Sequence, residues 1–148
     1  MTDASDMIKL YSNRILALAA DIPHSDRLDA PDASEMKRSP LCGSTVTVDV
    51  QVKNGVVSDF GQDVKACALG QAAASVLGAA VVGQSLETIR KGRDELAGML
   101  KSDGPAPSAP FEELKVLEPA KAYKNRHASV LLAFDATVAA IESLSQAA

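Results

Sequence analysis

Tryptophan is absent, and only three phenylalanines and two tyrosines are spread over the 148 residues. A stacking platform for single-stranded nucleic acid needs several neighbouring rings, so that class of binder is excluded. A surplus of positive charge is also missing. The formal net charge is −4, which argues against a broad basic surface for any nucleic acid. The short basic run at Lys121, Lys124 and Arg126 reads as a solvated helix face. No uninterrupted apolar run approaches the length of about eighteen residues that a membrane span requires. The longest candidate, residues 66–82, is broken by Gly70, Gln71, Ser75 and Gly78. The N-terminal residues Met1-Thr2-Asp3-Ala4-Ser5-Asp6 lack the basic start and apolar run of a secretory signal, so the expected compartment is the cytoplasm. Cysteine is scarce too: there are two, and in that compartment the expectation is reduced thiols, not a disulfide. No Ser-His-Asp set, Gly-rich phosphate loop or paired acidic site supports an independent hydrolase or nucleotide enzyme.

What is present fits one globular domain over residues 1–148. Residues 6–20 have the period of an amphipathic helix, with Met7, Leu10, Tyr11, Ile15, Leu18 and Ala19 on one face, and Pro23 ends it. Residues 21–40, with three prolines and no clear period, read as a long polar connection. Residues 45–52 are the clearest strand: Val46, Val48, Val50 and Val52 alternate with polar residues that should face water. Asn54-Gly55 is a hairpin turn, because both central positions need positive φ. A second strand is expected over 56–60 and a third, shorter one over 62–66. Asp49, Asp59 and Asp63 read as solvent-facing strand and turn residues.

Residues 67–82 follow as an alanine-rich helix suited to close packing, with Gly83 as its C-cap. Ser85 caps the next helix, which buries Leu86, Ile89, Leu96, Met99 and Leu100 and is open to interruption at Gly92. The Pro- and Gly-rich stretch 102–110 reads as a surface loop, 111–117 as a short helix stopped near Pro119, and 126–144 as a closing amphipathic helix. The expected fold class is therefore α/β in the α+β sense: a small three-stranded antiparallel sheet packed against helices.

Three residues carry chemical interest. Cys42 precedes Gly43 just before the first strong strand, where glycine permits close approach of a ligand. Cys67 stands at a strand–helix boundary, where the helix N-terminus favours the thiolate, the form that binds metal and attacks sulfur. His127 opens the last helix. Each has a plain alternative: Cys67 as a small core residue, His127 as a capping or surface residue. Their spacing matches no short zinc-finger pattern. They share a placement at element boundaries, which a sheet-plus-helices domain can bring together.

Cys42-Gly43 before a strand, an Asn54-Gly55 hairpin, Cys67 opening the small-residue helix 68–75, and a final site at a helix start together resemble the NifU/IscU-type iron–sulfur scaffolds, over roughly residues 6–142. The long Cys67-to-His127 separation resembles the zinc-binding branch of that family. The resemblance implies a scaffold or carrier, not an enzyme, that binds an iron–sulfur cluster, iron or zinc through Cys42, Cys67 and His127. It implies a cysteine desulfurase and iron–sulfur acceptor proteins as partners. The family pattern of three cysteines and an aspartate is not complete here. Ser44 stands where the aspartate is expected, and the third cysteine is missing, with either His127 or Ala128 in its slot. The family's basic chaperone-docking motif is also missing. Two further functions follow: a zinc-held sulfur acceptor in which Cys42 takes persulfide, and a diverged interaction module without metal.

Overall fold

The computed structural model describes residues 12–40 and 43–146. A three-stranded antiparallel meander, β1 (Ala33–Arg38), β2 (Thr45–Lys53) and β3 (Val56–Lys65), runs in the order β1-β2-β3. Four helices accompany it: α1 (Asn13–Ala20), α2 (Ala68–Ala80), α3 (Leu86–Lys101) and α4 (His127–Gln146). The 3₁₀ segments Glu112–Ala122 and Lys124–Arg126 lead into α4. The expected start of the first helix, with Met7, Leu10 and Tyr11, lies outside the described residues. Within them Ser12 caps α1 by accepting a hydrogen bond from the Ile15 amide, and Ile15 is fully buried.

Val46, Val48 and Val50 point into the core as their alternation requires. Asn54 and Gly55 take φ values of 56° and 80°, the pair of positive angles that a tight hairpin needs. Two strand expectations are corrected. The stretches 56–60 and 62–66 are one continuous strand, β3, and the third strand of the sheet is β1, which forms inside the supposed connection. β1 alternates only between half-buried and exposed positions and carries Glu35, Lys37 and Arg38, so it has no hydrophobic period to read. Charge on an edge strand is a common guard against pairing with another sheet.

A third correction concerns Asp49. It does not face water; its side chain is fully buried on the sheet face opposite the valines. The carboxylate accepts two bonds from Arg27, at 2.6 and 3.0 Å, one from the Leu28 amide at 3.0 Å, and one from the Ser34 hydroxyl. The polar face is thus covered by the chain between α1 and β1. Gly61, paired with Asp49, makes room for it: a Cβ there would lie 2.4 Å from the Asp26 carbonyl oxygen.

Three alanines of α2, Ala72, Ala73 and Ala74, have no exposed surface, so this helix packs backbone-close as its composition suggests. Ser85 caps α3 by accepting from the Thr88 amide. Gly92 does not interrupt α3; its missing side chain leaves space for the Phe111 ring, whose nearest atom would be 2.5 Å from a Cβ. The expected short helix over 111–117 is instead a 3₁₀ segment that continues through Pro119. Val130, Leu131, Phe134, Val138 and Ile141 of α4 enter the core as expected. By length and composition α4 could cross a membrane, but 67% of its most apolar stretch is buried inside the fold. It lies against the sheet and against α2 and α3.

Candidate functional site

β3 ends at Lys65 and α2 begins at Ala68, so Cys67 sits at the turn between them as the residue preceding the helix. Its φ and ψ of −68° and 171° are extended, and it remains half-buried. The sulfur makes no regular capping bond. Its surroundings nevertheless favour the thiolate. Burial pushes the thiol up, but the Gly70 amide, the Ser129 hydroxyl, the Leu69 amide and the Arg126 side chain outweigh it and hold the thiol below its usual value.

The sulfur opens onto a polar cavity of about 420 Å³ lined by Gly43, Ser44, Lys65, Ala66, Asn125 and Arg126. Two buried hydroxyls lie near the sulfur, and one of them, that of Ser44, lines the cavity. The Ser129 Oγ is 3.5 Å from the Cys67 Sγ, and it donates to the Ser44 Oγ at 3.2 Å. Three elements therefore meet at the sulfur: the start of β2, the start of α2 and the first turn of α4. Gly70 lets the two helices approach, since a Cβ there would fall 2.8 Å from the Ser129 Oγ.

Of the three residues singled out in the sequence, Cys67 is at this cavity. Cys42 lies outside the described residues; its neighbour Gly43 is a wall of the cavity, in a β1–β2 connection closed at its base by the Gly43 amide donating to the Ser39 carbonyl at 2.9 Å and the Ser39 amide donating to the Ser44 carbonyl at 2.8 Å. His127 is directed elsewhere, which corrects its expected place beside Cys67. Its Nε2 lies 3.1 Å from both the Ala120 and Lys121 carbonyl oxygens, tying the 3₁₀ segment to α4, and it lines a separate cavity with Leu100, Lys101 and Lys124. The reason is helical geometry. Two residues along an α-helix turn the direction by about 200°, so with Ser129 facing the sulfur, His127 faces away. Among the described residues no group of three His, Cys, Asp or Glu could hold a metal ion.

Sequence reasoning missed Ser129 and misread Arg126. A serine immediately ahead of the apolar run Val130-Leu131-Leu132-Ala133-Phe134, in the buried part of the helix, was the available signal for the first. Arg126 carried none, because in sequence it is one of several solvated cations.

The sulfur's environment has a direct readout. With Cys42→Ala leaving Cys67 as the sole thiol, alkylation by iodoacetamide is expected to reach half-maximal rate below the pH of about 8.5 of an unperturbed cysteine, since the thiolate reacts and its surroundings stabilise it. Arg126→Gln should move that midpoint upward. An identical midpoint in both proteins would show that the guanidinium does not act on the sulfur.

A meander of three strands backed by helices, with a thiol at the strand-to-helix turn, defines a small scaffold-type α+β domain. A family model described as the NifU-like N terminal domain matches residues 10–143, and the chain belongs to that family of iron–sulfur cluster assembly scaffolds. It is 24% identical over 137 residues to the iron–sulfur cluster assembly scaffold protein IscU of Thermotoga maritima, covering 93% of this chain and 96% of that one. The crystal structure of a nitrogen-fixing NifU-like protein (N-terminal) from Brucella abortus is similar at a TM-score of 0.94 and 44% identity, over 97% of this chain and 99% of the other. A protein described as a scaffold for the SUF system of Fervidobacterium islandicum shares the fold at a TM-score of 0.81 and 16% identity, over 90% of this chain and 98% of its own.

Proposed function

We propose that this chain carries an iron–sulfur cluster, or the iron or zinc ion that occupies the same place, at the cavity onto which Cys67 opens, with Cys42 as the second thiolate. The observation that supports this best is the position of Cys67. Its sulfur is held toward the thiolate by helix amides and by Arg126, and it faces a polar cavity whose wall includes the residue next to Cys42. Two thiolates from one chain leave coordination positions open, which suits a carrier that must also give its cargo away. A cysteine desulfurase and cluster-accepting proteins are the partners this reading calls for.

The test is anaerobic reconstitution of the full chain with iron and sulfide, followed by metal and sulfide analysis and an absorption spectrum. Cys67→Ser and Cys42→Ser are each expected to lose most of the bound iron, while His127→Gln, which keeps a donor toward the Ala120 and Lys121 carbonyls, should retain it. Full occupancy in both cysteine variants would remove the proposed site.

A second reading, transfer of persulfide sulfur to this chain, draws on the cations beside the thiol, Lys65 and Arg126, which favour a sulfur anion. After incubation with desulfurase and cysteine, intact-protein mass analysis would show an added sulfur on Cys42 or Cys67. No added mass on either would dismiss it.

A further inference from the structure

The cavity that His127 lines is separate from the one at Cys67 and larger, about 680 Å³ against about 420 Å³. Neither the cluster reading nor the persulfide reading uses it. Its residues divide by burial. Leu100 is buried and Ala128 half-buried, and these form an apolar floor at the end of α3 and the start of α4. Lys101, Lys121 and Lys124 are exposed and form the rim, against a single carboxylate, Asp103. The cavity is thus locally cationic in a chain whose net charge is −4. The three lysines are not equivalent. Lys121 is ion-paired with Asp103 at 3.2 Å and lies 3.7 Å from Glu118, whereas Lys101 and Lys124 form no ion pair among the described residues.

The cavity is also fixed in shape from three sides. His127, 6% exposed, bonds through Nε2 to the Ala120 and Lys121 carbonyls and so holds the 3₁₀ segment against α4. The Asp103–Lys121 pair ties that segment to the loop after α3. The Gly104 amide, donating to the Gly98 carbonyl at 2.9 Å, closes that loop onto the end of α3. A preformed cavity of this volume, apolar within and with a few charged groups at its edge, is the usual form of a small-molecule site.

The geometry points to a second binding site in this protein, for a small carboxylate with an apolar body such as a medium-chain fatty acid. Its chain lies over Leu100 and Ala128, and its carboxylate meets Lys124 and Lys101. A bare inorganic anion would leave the apolar floor uncovered, and a cation would face three lysines. Burial of the chain supplies the attraction, and the unpaired lysines select the sign of the head group.

The experiment is calorimetric titration of the full chain with octanoate, octanamide, octylammonium and inorganic phosphate. Octanoate is expected to bind one per chain with a dissociation constant below about 1 mM. Octanamide, of the same shape without the charge, should bind roughly fivefold more weakly, the usual size of an exposed charge pair. Octylammonium and phosphate should give no binding. Lys124→Glu replaces attraction by repulsion, and should weaken octanoate roughly tenfold while leaving octanamide unchanged. Ala122 is exposed and lines the same cavity, so Ala122→Trp is tolerated by the fold and should block both octanoate and octanamide. Absence of octanoate binding overturns the inference, as does phosphate binding as tightly as octanoate. Equal affinity for octanoate and octanamide overturns the role of the lysines. Several octanoates per chain, insensitive to Lys124→Glu and Ala122→Trp, would be unspecific adsorption and would overturn the site.

Discussion

Replacing Asp49 by alanine is expected to destabilise the domain by about 2–4 kcal/mol, because hydrogen bonds to an ionised carboxylate contribute about 1.5–3 kcal/mol each and four of them end there. The total stays well below a simple sum for a physical reason. Arg27 keeps 53% of its side-chain surface exposed, so its attraction to Asp49 is screened and its guanidinium can turn to water. The larger loss is the covering of the sheet's polar face by the chain ahead of β1. Urea unfolding followed by circular dichroism gives the number, and a change under 1 kcal/mol would show that this covering holds without Asp49.

The same carboxylate has a pH signature. Burial pushes its pKa up, but the Arg27 bonds, the Ser34 hydroxyl and the Leu28 amide more than offset this, and the net shift is downward. A carboxylate whose pKa is lower in the folded state contributes stability that is complete above the unfolded value of about 3.9 and is lost as pH falls through the folded one. Acid unfolding of the natural protein should therefore contain a component that Asp49→Asn lacks. Parallel curves for the two proteins below pH of about 4 would contradict that assignment.

Gly70→Ala is the second substitution with a large expected effect, and two terms compete in it. Alanine in a helix interior is favoured over glycine by about 1 kcal/mol. Against this, the new methyl carbon would meet the Ser129 Oγ at 2.8 Å, the Ala66 Cβ at 2.9 Å and the Ser129 carbonyl oxygen at 3.0 Å. Two of these three neighbours are a backbone atom and the first carbon of a side chain, so they cannot rotate away, and overpacking of this kind costs about 1–3 kcal/mol. The net expectation is a loss of about 1–2 kcal/mol, accompanied by separation of α2 from the first turn of α4. Thermal unfolding measures the first effect, and the rate of Cys67 alkylation measures the second. A protein more stable than the natural one, with unchanged thiol reactivity, would mean that the helices have slack there.

The parts of this fold that could be read from sequence are those with strong local physics. The valine alternation of β2, the Asn54-Gly55 turn, the Ser85 cap and the alanine-rich α2 each follow from one residue preference or one period. β1 could not be read, because an edge strand whose residues are half-buried at most has no apolar face to display. Asp49 was misassigned for a related reason. Alternation tells which side of a strand a residue takes, and only tertiary packing decides whether that side meets water. At the site, Cys67 was legible from its place between a strand and a helix. Ser129 was not, because a histidine two residues earlier drew attention to the wrong side of α4. The angle around α4 decided which of its residues could face the sulfur.

Between the last residue of β3 and the first of α2 there are only Ala66 and Cys67. Such a short span has no room for a hinge, so the sulfur moves only if the whole sheet or the whole of α2 moves with it. Any widening of the cavity must then come from its other walls, at Gly43 and at Asn125–Arg126. The thiol is a fixed post in the cavity wall.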